Sequence, residues 1–159
     1  MDKKGGREWR LQSDVIRLKG NNVLDSAASG NYFKASDSKQ FTEAKPDRSH
    51  VITTPTGQTI RSIQTAKIAN TNIPVVIFED KDLPDLNLVS VPLLCQNGME
   101  ATFSKNGAIV SNSAGQCVIR AHRDIKSNLY ILNKDECGDY AAVMFPRSAR
   151  RPEKIISSS

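Results

Sequence analysis

The chain has 159 residues, of which 38% are hydrophobic and 25% charged, and a formal charge of +5. That length holds one compact domain with a real core but not two well-packed domains with linkers, and the composition fits a modest core with solvated ends rather than wholesale disorder. No apolar run approaches the roughly 20 residues that a bilayer-crossing helix needs, and Met1 to Leu18 is charged rather than signal-like, so no membrane partner is expected.

The first 13 residues are predicted to form a flexible basic segment containing Lys3, Lys4, Arg7 and Arg10. The folded domain is expected over 14–132, opening with a short strand from Asp14 to Leu18 and the turn residues Lys19-Gly20-Asn21-Asn22. Val23-Leu24 then reads as a strand that delivers Asp25 into a tight turn. Further short apolar runs follow at His50 to Thr54, Gln58 to Ala69, Val75 to Glu79, Met99 to Phe103, Ala108 to Ser111, Gln116 to His122 and Asn128 to Leu132. Breakers such as Pro55-Thr56-Gly57, Asn97-Gly98 and Ala114-Gly115 separate them. Lys105-Asn106-Gly107-Ala108 is the strongest hairpin signal, because Asn-Gly tolerates positive φ.

A short helix is predicted to begin near Pro92 and to stop at Asn97-Gly98. Many short strands at intervals of roughly ten residues point to a mainly β domain, closed or half-closed, rather than a βαβ fold. From 133 to 159 the chain reads as a weakly structured basic tail with Arg147, Arg150, Arg151 and Lys154. Both basic ends suit non-specific contact with nucleic-acid phosphates. The default location is the cytoplasm, with the basic ends permitting nuclear entry.

The chemistry concentrates in Asn22-Val23-Leu24-Asp25-Ser26-Ala27-Ala28-Ser29-Gly30. An apolar pair runs into an acid and then into small residues that leave room around it. Such a carboxylate serves as acid or base when a second one lies close enough to share its proton, since two like charges a few ångströms apart do not both ionise at neutral pH. A symmetric dimer would supply the second. The plainer role for Asp25 is an Asx-type cap at a loop opening.

The order of segments resembles the retropepsin-like protease region of Copia-type retrotransposon polyproteins. Asp25-Ser26-Ala27-Ala28-Ser29 resembles the D-S-G-A-S active-site turn. After Phe41, Val51-Ile52-Thr53-Thr54-Pro55-Thr56-Gly57-Gln58-Thr59-Ile60 is similar to the family's "adG" hairpin. Leu83-Pro84-Asp85-Leu86-Asn87-Leu88-Val89-Ser90-Val91 resembles "vPdLxxNLlSv", and Leu94-Cys95-Gln96-Asn97-Gly98 through Phe103 the "Lc.xGxxvtF" strand. Leu129-Tyr130-Ile131-Leu132 resembles the boundary with the pre-integrase region.

The resemblance implies a single small β-barrel of acid-protease type with one short helix and flexible termini. It implies a homodimeric aspartic endopeptidase that needs no cofactor and cleaves the Gag-Pol polyprotein. Asp25 would be the catalytic residue, Ser26, Ala27 and Ala28 would form the active-site turn, and the Ser26 hydroxyl would bond across the dimer axis. Two departures stand out. Ala27 occupies the usual glycine position, which is tolerated at negative φ and costly at positive φ. No convincing apolar-apolar-glycine element follows, because the candidate Asn87 to Val91 ends in serine and valine.

No zinc knuckle precedes the region and no integrase follows it, so the sequence is expected to be a fragment or a decayed reading frame. The alternatives to an active protease are therefore an inactive retrotransposon relic and a basic nucleic-acid-associated protein. Cys95, Cys117 and Cys137 lack disulfide or zinc-ligand spacing, with His50 and His122 no better placed, so no metal is expected. Glu79-Asp80-Lys81-Asp82 with Asp85 reads as a solvated turn rather than a cation site.

Overall fold

The computed structural model describes residues 15–54, 56–83 and 86–133. The predicted basic segment 1–13 and nearly all of the predicted tail 133–159 lie outside the described residues, as do Pro55, Pro84, Asp85 and Cys137. The described chain divides into two compact units, one of residues 18–98 and one of residues 15–17 with 99–133.

The 18–98 unit contains β1 (Asn22–Asp25), β2 (Tyr32–Lys34), a 3-10 helix (Ala35–Gln40), β3 (Thr42–Pro46), β4 (Val51–Thr53), β5 (Thr59–Arg61), β6 (Gln64–Lys67), β7 (Pro74–Phe78), β8 (Asn87–Ser90) and helix α1 (Val91–Gln96). Its main strands run in the order β3-β6-β7-β2-β8-β1, while β4 and β5 form a separate two-stranded sheet. β1 pairs with β8 in parallel, and β2 pairs with β7 in parallel. Parallel central strands are covered on both faces, so they read as continuous apolar runs instead of alternating ones. Val75 to Phe78 are accordingly all buried, as are Asn22, Val23 and Leu24. Phe33 packs edge-on against Phe41 at 4.9 Å, and Tyr32 against Phe78 at 5.7 Å, the arrangement that ring quadrupoles favour.

The other unit is an antiparallel meander of β9 (Glu100–Phe103), β10 (Gly107–Ser111), β11 (Cys117–Arg123) and β12 (Tyr130–Leu132). Its buried side chains include Val110, Val118, Ile119 and Leu132. The predicted hairpin forms between β9 and β10, one residue earlier than Asn-Gly suggests. Ser104 closes it, its N–H donating to Gly107 O at 2.7 Å and its Oγ accepting from Gly107 N at 3.3 Å.

The mainly β class is as expected, but the barrel is not: among the described residues the sheets are not closed into one. The physical reason is visible at β3. All five of its residues are exposed, its pairing with β6 is bulged between Thr42 and Lys45, Glu43 takes φ 55, and it ends in Pro46. A bulge and a proline on an exposed strand are devices that prevent further pairing. Val15 to Leu18, part of the predicted first strand, forms no strand, although Ile16 N donates to Val118 O at 2.8 Å. The predicted helix is α1, capped by the Ser90 side chain and ended by Gly98 at φ 84. The 3-10 helix is an additional element that the sequence pattern does not announce. No helix among the described residues is long and apolar enough to cross a membrane.

Candidate functional site

Asp25 is the last residue of β1, half-buried, and its Oδ1 accepts a hydrogen bond from Ala27 N at 2.8 Å. The acid thus stands at the mouth of a turn in which Ser26 and Ala27 are exposed and Ala28 is buried. This bond is an Asx turn: a short polar side chain caps its own loop by reaching the backbone two residues on. Among the described residues, the non-glycine positions at positive φ are Glu43, Asn70 and Asn128. Ala27 is not one of them, so its methyl group meets no backbone strain where the resemblance expects glycine.

The loop beyond the turn is held at several points. Ser90, in register with Asp25 across the parallel pair, donates its Oγ–H to Ala28 O at 2.6 Å and accepts from Leu93 N at 3.1 Å. Asn31 accepts from Ser90 N at 2.7 Å and donates through Nδ2 to Pro74 O at 2.9 Å. Ser29 Oγ and Tyr32 OH lie 2.9 Å apart. Gly30 lies beneath that ring, where an added Cβ would come within 2.9 Å of Tyr32 Cε1. Buried polar atoms are costly unless paired, and these pairings make the loop a defined shape.

Below this lies a second polar group. Asn87 Nδ2 donates to Asn22 Oδ1 at 2.8 Å and to Asp37 Oδ2 at 2.9 Å, while Asn87 Oδ1 accepts from Lys34 N at 2.8 Å. Asn22 and Asn87 are also register partners, so the bond fixes the parallel alignment that places Asp25 opposite Ser90.

The β4–β5 arm is seated on the same loop through Tyr32. Ile60 is buried with Tyr32, Val76 and Phe78, and Ile52 packs against them. At the arm's base Ser62 Oγ donates to Asp47 O at 2.6 Å and accepts from His50 N at 3.2 Å. Its tip turns at Gly57, with φ 90.

Other candidates stand apart from Asp25. His50 Nε2 lies 3.7 Å from Asp47 Oδ2, and two Ser49 hydrogen bonds, from the hydroxyl and the N–H, hold the Asp47 carboxyl below the usual carboxylate range. His122 Nδ1 lies 2.6 Å from Asn133 Oδ1. Asp80 accepts from Ser36 N at 2.9 Å, which lowers its pKa, and Lys81 pairs with Glu79 at 3.5 Å. Cys95 is an exposed thiol, and the partly buried Cys117 thiol donates to Ile119 O at 3.6 Å. Among the described residues no three His, Cys, Asp or Glu side chains gather into a set that could hold a metal ion.

Asp25 thus ends β1, and Ser26, Ala27 and Ala28 follow it into the turn. Asn31, Tyr32 and Ser90 bond to the loop that follows Asp25, a link that the sequence reading does not make. The available signal was a serine inside the apolar run Leu88-Val89-Ser90-Val91, since a polar residue at a core position needs a partner. No protein-family model matches the chain, and no curated protein matches it.

Proposed function

We propose that the chain carries an aspartic endopeptidase protomer, retropepsin-like and of Copia-type retrotransposon origin, which cleaves Gag-Pol polyprotein as a homodimer. One observation carries the reading: a buried strand ends in Asp25, and a turn of small residues grips that carboxylate through Ala27 N at 2.8 Å. Pairing two copies through this turn brings two like carboxylates together, and they share one proton because both do not ionise side by side. The ionised acid takes a proton from the water held between them as the water attacks the scissile carbonyl. The protonated acid donates to the carbonyl oxygen.

The order of segments along the chain supports this reading, as does the parallel pairing of β1 with β8 directly before α1. The β4–β5 arm supports it too, because it is a hairpin separate from the main sheet, as the family's "adG" hairpin would be. The Ala27 departure carries little weight against it, since the backbone there accepts a methyl group.

The test is cleavage of a peptide spanning a polyprotein junction. Asp25→Asn should abolish cutting, and wild-type activity per protomer should fall on dilution as dimers separate. Failure of the wild type to cut or to self-associate at high concentration overturns the proposal. A second reading, a folded but inactive relic, is favoured by the Asx bond itself, which gives Asp25 a sufficient structural role. That reading expects a β-rich circular dichroism spectrum with no cleavage.

A further inference from the structure

We infer that Ser90 is a positioning residue for Asp25, holding the acid's turn through the Ala28 carbonyl while it caps α1. The inference rests on the reading of Asp25 as one acid of a dyad.

A serine hydroxyl offers one proton and two acceptor lone pairs. Capping a helix needs only an acceptor, and Ser90 Oγ meets that need with Leu93 N at 3.1 Å. Its proton goes elsewhere, to Ala28 O at 2.6 Å, in a fully buried setting. The Ser90 backbone N–H is committed to Asn31 Oδ1 at 2.7 Å. One residue thus fastens two points of the loop that begins at Asp25, from the strand position in register with Asp25 itself. Ala28 follows directly on Ala27, whose N–H holds Asp25 Oδ1 at 2.8 Å. Releasing Ala28 lets Ala27 drift, and the carboxylate loses its fixed orientation. Nothing in the capping of α1 requires the Ala28 bond, so the two roles separate by experiment.

The test uses the full chain with Ser90→Ala, Ser90→Thr and Pro92→Gly. Threonine keeps the hydroxyl that makes both bonds. Glycine at the exposed Pro92 weakens the first turn of α1 without touching Ala28. With a junction peptide, Ser90→Ala should lower kcat about 100-fold at nearly constant KM, the size expected for a misplaced catalytic group. Ser90→Thr should restore kcat, and Pro92→Gly should leave it unchanged. Amide exchange at Ala27 should quicken at least about tenfold in Ser90→Ala, through local opening, and stay unchanged in Pro92→Gly.

Should Ser90→Ala not fold, Ser90→Cys carries the same expectation more weakly, because a thiol is a poor donor. A wild type that cuts nothing removes the protease reading, and exchange at Ala27 then decides the positioning role alone. Unchanged Ala27 exchange in Ser90→Ala (or in Ser90→Cys where alanine does not fold), or equal changes in Pro92→Gly, overturns the inference.

Discussion

Residues 18–98 bury Asn22, Asn31, Ser62, Asn87 and Ser90 among their apolar side chains, whereas Arg120 is the buried polar side chain among the described residues of the 99–133 meander. The difference follows from how each region sets its strand register. In the meander, neighbouring strands are joined by short turns, and a turn of fixed length fixes register. The parallel pairs of the 18–98 unit have no such turn, because β1 and β8 are far apart in sequence. Asn22 and Asn87, 65 residues apart, replace it with a directional bond that only one alignment satisfies. Buried polar groups at a sheet centre therefore mark the places where topology has left register unspecified.

Substitutions can break that contrast. The largest expected effect is Asn87→Ala, which strands the groups that Asn87 serves on Asn22, Asp37 and Lys34. It should cost about 3–5 kcal/mol by urea denaturation, more than its volume alone predicts, because unsatisfied buried groups add to the loss. Ile119→Ala in β11 tests the apolar side of the contrast. It should cost about 2–4 kcal/mol, the ordinary loss for a buried aliphatic side chain, and amide exchange should quicken first in β10 to β12.

Ala27→Gly sharpens the view that this turn tolerates a side chain. With φ outside the positive region and the side chain exposed, glycine gains nothing in the folded state and loosens the unfolded one. Stability should fall by about 0.4–1 kcal/mol, measured as a shift in urea midpoint. A gain in stability would mean that the methyl is strained.

The smallest effect is one that the two regions share. Ser36, Ser49 and Ser127 each hold an aspartate, Asp80, Asp47 and Asp124, below its ordinary value of 3.8. The unfolded state binds the proton first as pH falls, so the small stabilisation is complete above 3.8 and disappears as pH drops through the lowered folded values. The amides of these three serines should lose exchange protection together below that point, in both regions alike.

Much of the strand pattern is readable because its cues are local. β4, β7, β9, β10, β11 and β12 fall within a few residues of the predicted runs, and α1 stops at Asn97-Gly98 as the glycine requires. β2, β3 and β8 lie outside the predicted runs; β3, Thr-Glu-Ala-Lys-Pro, is exposed throughout and has no apolar pattern to detect. The run from Gln58 to Ala69 holds two strands, because the chain changes partner between Ser62, whose N–H bonds His50 O, and Ile63, whose N–H bonds Ile77 O. The 3-10 helix, Ala-Ser-Asp-Ser-Lys-Gln, buries no residue and so leaves no apolar period to detect.

By itself the sequence determined a mainly β chain, a helix start and stop, and a turn of small residues behind Asp25. Those features depend on neighbours a few residues apart, where steric and hydrogen-bonding preferences act directly. Only the tertiary structure decided that the sheets stay open and that Ser90 and Asn31 secure the Asp25 loop, 62 and 59 residues apart along the chain in their respective bonds. Those outcomes rest on the direction of hydrogen bonds between distant strands, which exists only once the strands have aligned.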